Sequence, residues 1–288
     1  MNNFIALDVE TVNADCSSIC QIGVAEFNNG QIINKWETLI NPEAQFDFIQ
    51  VSKHKITEEM VNGKPTFPEI YDEFKTLVEN NVVIHHMPFD KAAITQIVKK
   101  YNLEPINTTW LDSAKIVRRT WPEFLKKGYG LKNIASHLMI DFKHHDALED
   151  AIAAGKVVIE AMKIKEVSIE DWILNIKRPL SLSNVKSSTS ERIEYTPNPD
   201  GALYGETIVF TGSLFITKNE AKSIAADLGC EPNDNVTKET TILVVGSQDD
   251  YKLAGYKKSS KHRKAEDLIL KGQEIKILTE NDFKLLIE

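Results

Sequence analysis

Five side chains in the first half of this 288-residue chain could together carry out metal-dependent hydrolysis. They are Asp8, Glu10, Asp90, His145 and Asp150. Carboxylates that lie close together near an apolar core repel one another unless a cation lies between them, so such a group favours a divalent metal. A neutral imidazole can accept a proton from water near physiological pH. The set therefore predicts a site in which acids hold metal and a histidine acts as the general base.

The first two acids belong to a predicted buried strand, the apolar segment FIALDVE at residues 4–10. An apolar run with little flanking charge is typical of a central strand in a covered sheet. Residues two apart on a strand project from the same face, which places Asp8 beside Glu10. Taken alone, the pair favours two solvated acids at a strand end.

Two predicted helices carry the remaining candidates. Asp90 opens a helix that follows a short strand at residues 82–85, and an acid there could simply complement the helix dipole, an effect of up to about 1 kcal/mol. Asp150 lies in an amphipathic helix, and His145 comes just before it. Taken singly, these two favour a solvated helix face beside Glu149 and an exposed loop histidine.

Along the chain these residues form three motifs, D-x-E, FD and H-x-x-x-x-D. Their order resembles that of the DEDDh exonucleases, which include bacterial polymerase proofreading subunits, RNase T and oligoribonuclease. The resemblance covers about residues 1–162. Further segments share it: Thr11 after Glu10, QIG at residues 21–23, ITEEMV at 56–61 with PTF at 65–67, and GLKNI at 130–134.

This resemblance implies an RNase H-like α/β fold, a mixed sheet with helices, and hydrolysis of phosphodiesters from a 3′ end. It implies that the four carboxylates hold two divalent ions, Mg²⁺ or Mn²⁺, while His145 takes the proton of the attacking water. It also implies substrate contacts at four positions: Thr11, Val12, His86 and Phe89.

Two positions depart from the family pattern. His86 stands where many relatives have Asn, and Lys55 stands where relatives often have Gly before Ile-Thr. Neither change removes a proposed metal ligand, but both would line the substrate groove. The preferences for DNA or RNA and for single or double strands therefore stay open.

Composition changes after the first domain, which we place at residues 1–162. Residues 163–200 are predicted to be a linker, helical at first and then rich in serine and proline, as expected of a solvated segment. The residues that indicate it are Ser183, Ser187, Ser188, Thr189, Ser190, Pro197 and Pro199.

Residues 201–288 are predicted to form a small parallel α/β domain, because strands and helices alternate. The predicted strands are 207–210, 241–245 and 275–278, and the helices are 217–228, 261–270 and 280–287. The segment GETIVFTGSL at 205–214 and the motifs after it resemble a BRCT domain of the type found in bacterial NAD-dependent DNA ligases and the large subunit of replication factor C.

The BRCT resemblance implies a phosphate-binding site at the T-G turn, often for a DNA 5′ end. The positions concerned are Thr211, Gly212, Ser213, Lys218, Lys261 and Lys264. A turn that only redirects the chain, beside lysines on a solvated face, is an equally good interpretation, and a replication or repair protein could be the partner instead.

Composition sets outer limits on the function. The fractions of hydrophobic (42%) and charged (26%) residues are ordinary for a soluble protein, and no apolar stretch is long enough to cross a bilayer. Three cysteines and the absence of a signal-peptide pattern predict a reducing, cytoplasmic setting.

The net charge of −8 argues against broad electrostatic binding along nucleic acid. One basic surface is possible: Lys252, Lys257, Lys258, Lys261, Arg263 and Lys264.

Three functions fit these patterns. The leading one is a DNA exonuclease for proofreading or repair, whose C-terminal domain holds a DNA end or a partner protein. The second is an enzyme that trims RNA or oligonucleotides with the same chemistry, which the attached BRCT-like domain disfavours. The third is a non-catalytic adapter that binds ends, and the complete set of acids with His145 counts against it.

Overall fold

A computed structural model describes residues 3–125, 128–178, 195–248 and 258–287. The chain divides into two compact units, Met1–Lys177 and Arg178–Glu288. Each unit has its own sheet and its own buried core.

The first unit is built on a five-stranded mixed sheet with the order β3-β2-β1-β4-β5. β1 lies at the centre, antiparallel to β2 and parallel to β4. The strands are β1 Asn3–Thr11, β2 Ile19–Asn28, β3 Gln31–Leu39, β4 Val82–His85 and β5 Thr109–Asp112. This mixed α/β architecture confirms the fold class expected for the first domain.

Eight α-helices accompany this sheet in the described part of the first unit, and the structure shows what starts several of them. Asp47 caps α1 by accepting from the backbone of Ile49, and Thr66 with Glu69 forms a capping box at α3. No helix among the described residues is long and apolar enough to span a membrane. The helices are α1 Phe48–His54, α2 Glu58–Val61, α3 Phe67–Val78, α4 Phe89–Lys100, α5 Ser113–Thr120, α6 Leu131–His137, α7 Ala147–Lys165 and α8 Ile169–Asn175.

Alternation along β1 separates the core from the candidate site. Ile5, Leu7 and Val9 project into a hydrophobic cluster with side chains of α3 and α4. Because side chains alternate on a strand, Asp8 and Glu10 project from the opposite face. α7 packs on β1 and β2.

The second unit contains a four-stranded parallel sheet with the order β7-β6-β8-β9. Its strands are β6 Thr207–Thr211, β7 Glu231–Asn233, β8 Ile242–Val245 and β9 Lys276–Thr279. Its helices are α9 Lys218–Asp227, α10 Ser260–Leu270 and α11 Glu280–Leu285.

The first compact unit continues past residue 162, where the sequence predicts the linker to begin. α8 lies in this unit: Trp172 is buried, and the Arg119 guanidinium donates to the carbonyl of Ile176 at 3.1 Å. The limits 1–162, 163–200 and 201–288 otherwise stay predictions. Several residues used for the linker and the basic surface lie outside the described residues: Ser183, Ser187, Ser188, Thr189, Ser190, Lys252 and Lys257.

Candidate active site

The site lies at the end of β1, where β2 supplies two residues that let a helix approach closely. In the strand pairing, Asp8 lies opposite Gly23 and Glu10 opposite Gln21. A Cβ atom on Gly23 would lie only 2.2 Å from the backbone nitrogen of Leu148 in α7. Glycine therefore permits backbone-to-backbone packing of α7 on β2 beside the two acids.

Gln21 fixes the first residue of that helix. Its side-chain oxygen accepts from the backbone N–H of Ala147 at 3.2 Å, and its amide nitrogen donates to Glu37 at 2.6 Å. The first turn of a helix leaves backbone N–H groups without helical partners, so this contact satisfies one of them. The start of α7, which carries Asp150, is thus tied to β2.

Asp150 is brought to the two acids of β1. Oxygen atoms of Asp8, Glu10 and Asp150 all lie within 4.8 Å of one another. Asp150 is 3% exposed, so its charge is held in a poorly solvated position. Three carboxylates this close fit a divalent cation, because hard cations prefer oxygen ligands and would remove the repulsion among the acids.

Asp90 reaches the same end of β1 from α4. Its Oδ1 accepts from the backbone N–H of Val9, the residue between the two acids, at 3.4 Å, and the residue is buried. It is not part of the group of mutually close oxygens formed by the other three. The structure therefore gathers three predicted ligands closely and places the fourth beside the strand that carries two of them.

His145 leads into α7 with an unusual backbone conformation. Its φ is +66°, in the left-handed region that few non-glycine residues adopt. Its backbone N–H donates to Asp150 Oδ2 at 2.7 Å, and its Nδ1 lies 3.7 Å from Glu10 Oε1. The ring predicted to be the general base therefore lies at the carboxylate group.

Two histidines near this group were not assigned a role from the sequence. The Nδ1 atom of His144 lies 2.7 Å from Asp150 Oδ1, although a pair of adjacent histidines by itself suggests only a polar loop. His54, at the end of α1, lies against the D-x-E-T segment. The position of His54 just before the Ile-Thr motif was a signal that could have found it.

The hydrogen bonds of His54 define its tautomer. Nδ1 accepts from the backbone N–H of Ile56 at 2.9 Å, so Nε2 carries the proton and donates to the carbonyl of Thr11 at 3.3 Å. Burial lowers the pKa of His54, opposed by the negative charge of Glu10. The neutral ring thus ties α1 to the end of β1.

The four predicted substrate contacts differ in placement. Thr11 and Phe89 are partly exposed, one at the end of β1 and the other at the start of α4. Val12 is 0% exposed, and its backbone N–H and carbonyl bond to Ser18 and Asp47. The structure therefore does not bring Val12 to a surface where a nucleotide could touch it.

His86 is bound within the fold. Its Nε2 lies 2.8 Å from the carbonyl of Tyr129, and because a carbonyl only accepts, Nε2 donates. Its Nδ1 lies 2.8 Å from the hydroxyl of Ser113, which itself donates to the carbonyl of His85. Burial lowers the pKa of His86 to about 4. Both ring nitrogens are engaged, so His86 connects β4 to α5 and to the segment before α6 and does not present a nitrogen to a groove.

The second departure from the family pattern also has a structural role. Lys55 ends α1 in the left-handed conformation, with φ +64°. Glycine is preferred at such a position because it has no Cβ atom. The Gly-to-Lys difference thus affects the end of α1, the helix that also carries His54.

The residues predicted for phosphate binding lie in the second unit, around the end of β6. Gly212 has φ +82°, and the Thr211 hydroxyl lies 2.8 Å from that of Ser259. The backbone N–H of Ser213 donates to Ser247. Lys264 is exposed on α10.

Lysines converge near that turn. The ammonium of Lys261 donates to the carbonyl of Phe210 at 3.3 Å. Burial lowers the pKa of Lys261, and the charges of Lys218 and Lys222 lower it further, against the opposing effect of Asp234. These lysines form a basic cluster, in which Lys222 also pairs with Asp234 at 2.6 Å. Lys258 is likewise ion-paired, with Glu266.

Comparison with known proteins decides the family. The family model described as RNase_T, exonuclease, matches residues 5–158, more than half of the chain. The chain belongs to this exonuclease family. Membership confirms the predicted exonuclease class and implies divalent metal ions, for which the acids of the site are suitable ligands.

Sequence relatives include PolC-type DNA polymerases III. The protein of Clostridium perfringens (strain 13 / Type A) is 28% identical over 196 residues, which is 64% of this chain and 13% of that protein. That of Oceanobacillus iheyensis is 25% identical over 174 residues, 58% of this chain and 12% of that protein. The chain thus spans about an eighth of the length of these relatives.

A solved structure of exonuclease I has the same fold in this region. It matches with a TM-score of 0.50 and 13% identity, and the match covers 62% of this chain and 43% of that chain. This likeness supports the mixed-sheet exonuclease fold of the first unit.

Proposed function

We propose that this chain removes nucleotides from the 3′ end of DNA, with two divalent ions held by Asp8, Glu10, Asp90 and Asp150. The observation that carries the proposal is the approach of three carboxylates to within 4.8 Å of one another beside His145. Mg²⁺ and Mn²⁺ suit such oxygen ligands. Three carboxylates this close repel one another, so side chains with a purely structural role would not be expected in this arrangement.

The ions, when bound, would neutralise the phosphate and make a water molecule more acidic. His145 accepts the proton of that water as its oxygen forms a bond to phosphorus. The bond from phosphorus to the 3′ oxygen of the preceding nucleotide then breaks, and that oxygen gains a proton from solvent. Glu10, 3.7 Å from Nδ1, stabilises the imidazolium that forms.

The neighbouring elements restrict how these groups move. Asp90 is held by the backbone of Val9, and Asp150 by the backbone of His145. Groups fixed by hydrogen bonds to the backbone need little reorganisation during reaction, which favours electrostatic stabilisation of the transition state. Thr11 and Phe89 are the predicted substrate contacts that remain accessible at this end of the sheet.

DNA is the favoured substrate because the sequence relatives named above are DNA polymerases. Replication proofreading or repair is the context that we propose. RNA is the alternative, and a direct comparison distinguishes the two: the full chain is given matched single-stranded DNA and RNA of one sequence, each labelled at the 5′ end. Faster shortening of DNA supports the proposal, and faster shortening of RNA would reverse the assignment.

For the second unit we propose a BRCT domain. Supporting observations are the order strand, helix, strand, strand, helix, strand, helix, the parallel sheet, and the T-G turn at Thr211 and Gly212. The basic cluster of Lys218, Lys222 and Lys261, in which Lys222 also pairs with Asp234, suits a phosphate, such as a DNA 5′ end or a group on a replication or repair protein. The exposed Lys264 lies on the same helix as Lys261.

A further inference from the structure

We propose that His144 is a positioning residue that orients Asp150 for metal binding, an inference that rests on the proposed function of the site. The Nδ1 atom of His144 lies 2.7 Å from Asp150 Oδ1. An ionised carboxylate can only accept hydrogen bonds, so Nδ1 must carry the proton and donate. The tautomer of His144 follows directly from this contact.

The two oxygens of Asp150 are held by adjacent residues of one segment. Oδ2 accepts from the backbone N–H of His145 at 2.7 Å, and Oδ1 accepts from the ring of His144. The backbone bond alone would leave the carboxylate free to rotate about it, whereas a second bond fixes its plane. Asp150 is 3% exposed, so water competes poorly for either oxygen.

The His144 ring is itself held in place on two sides. It stacks on the ring of His145, with centroids 4.0 Å apart and planes inclined by 21°. Phe142 contacts it at 5.5 Å in an edge arrangement. One ring therefore touches both a proposed metal ligand and the proposed general base.

Each oxygen of Asp150 has a second lone pair, so both can keep these bonds while the carboxylate binds metal. Hydrogen bonds to metal-ligating groups set their orientation, and losing one typically lowers metal affinity or activity by about 10- to 100-fold. His144 supplies such a bond from a side chain, which makes its contribution separable from the backbone bond of His145.

Substitutions at residue 144 can separate the donor from the ring. His144→Asn keeps an N–H donor near the position of Nδ1, and His144→Gln moves the donor one bond farther along the side chain. His144→Phe keeps a ring that can stack on His145 but has no donor. Mn²⁺ binding to the full chain is measured by isothermal titration calorimetry, with Asp8→Ala as the reference for a damaged site.

We expect His144→Phe and His144→Gln to weaken Mn²⁺ binding by about 10- to 100-fold, and His144→Asn to stay within about threefold of the unsubstituted chain. Melting temperatures in EDTA check that each variant folds. If His144→Phe does not fold, the comparison of Gln with Asn still decides the matter, because both side chains are polar amides.

Three outcomes overturn the inference. Unchanged Mn²⁺ affinity in His144→Phe and His144→Gln would show that the donor is dispensable, and equal losses in the Asn and Gln variants would show that any substitution disturbs the loop. If the unsubstituted chain binds Mn²⁺ no better than Asp8→Ala, the metal site itself is wrong and the proposed function fails with it.

Discussion

Gly23 of β2 lies so close to Leu148 of α7 that a Cβ atom on the glycine would be 2.2 Å from the Leu148 backbone nitrogen. Gly23 is also the strand partner of Asp8. The distance between the carboxylates of β1 and that of Asp150 therefore depends on a position that carries no side chain.

Replacing Gly23 with Ala should push α7 away from β2. We expect the free energy of unfolding to fall by about 2 kcal/mol or more, because an added methyl group has only backbone to displace. We also expect exonuclease activity to fall by more than the folded fraction does. Urea denaturation and nuclease assays measure the two effects. Gly130→Ala is the matched control, since nothing lies within 4 Å of its added Cβ.

Replacing Lys55 with Gly should stabilise the first unit. Lys55 has φ +64°, and the left-handed conformation costs a residue with a side chain about 1 kcal/mol. We expect the free energy of unfolding to rise by about 0.5–1 kcal/mol in Lys55→Gly. Lys53→Gly, inside α1, should instead lower it by about 1 kcal/mol. A loss of stability in Lys55→Gly would mean that the lysine side chain compensates for the backbone.

Acidification should destabilise the protein partly through His86. The pKa of His86 is lowered from 6.5 to about 4 in the fold, so the unfolded chain binds a proton between these values and the folded chain does not. Stability conferred by His86 is therefore complete above pH 6.5 and declines as pH falls toward 4. The decline amounts to at most about 3 kcal/mol.

His86→Asn tests this, because Asn does not titrate. The unfolding free energies of the unsubstituted chain and of His86→Asn should differ by a constant amount above pH 7. As the pH falls, the two values should approach one another or cross. The unfolding free energy of His86→Asn will still depend on pH to some extent, because burial also lowers the pKa of His85. Parallel curves from pH 7.5 to 4.5 would refute the assignment to His86.

Sequence alone predicted the parts of the site that depend on local periodicity. Asp8 and Glu10 share a face because a strand alternates. Periodicity alone favoured a solvated face for Asp150, and only the family resemblance assigned this residue to the site, where it is buried. The roles of Gly23 and His86 depend on contacts with Leu148 and Tyr129, which are far away in the chain. Patterns within one segment cannot show such contacts.

The fold of the second unit was expected from the alternation of strands and helices, whereas its cluster of lysines depends on packing between separate elements. Lys218 and Lys222 lie on α9, and Lys261 lies on α10. Only the packing of α9 and α10 around the end of β6 shows that Lys261 contacts Phe210.

Neutralising that cluster of lysines should weaken binding to a phosphorylated end. For the full chain carrying Lys218→Met and Lys261→Met, we expect the affinity for a 5′-phosphorylated duplex to fall about tenfold or more, since hydrogen bonds to charged groups contribute about 1.5–3 kcal/mol each. Fluorescence anisotropy measures this, with Lys271→Met as the control because that lysine is exposed and pairs with Asp267. If the unsubstituted chain binds 5′-phosphate and 5′-hydroxyl duplexes equally, the lysine cluster does not recognise the phosphate.

The most direct test of the central claim uses single-stranded DNA labelled at its 5′ end, incubated with the full chain and Mg²⁺ or Mn²⁺ beside an Asp8→Ala control. The proposed site predicts a ladder of products that shortens from the 3′ end, needs the metal, and is lost in Asp8→Ala. Shortening that persists in Asp8→Ala, or no shortening of DNA or RNA with either metal, would contradict it.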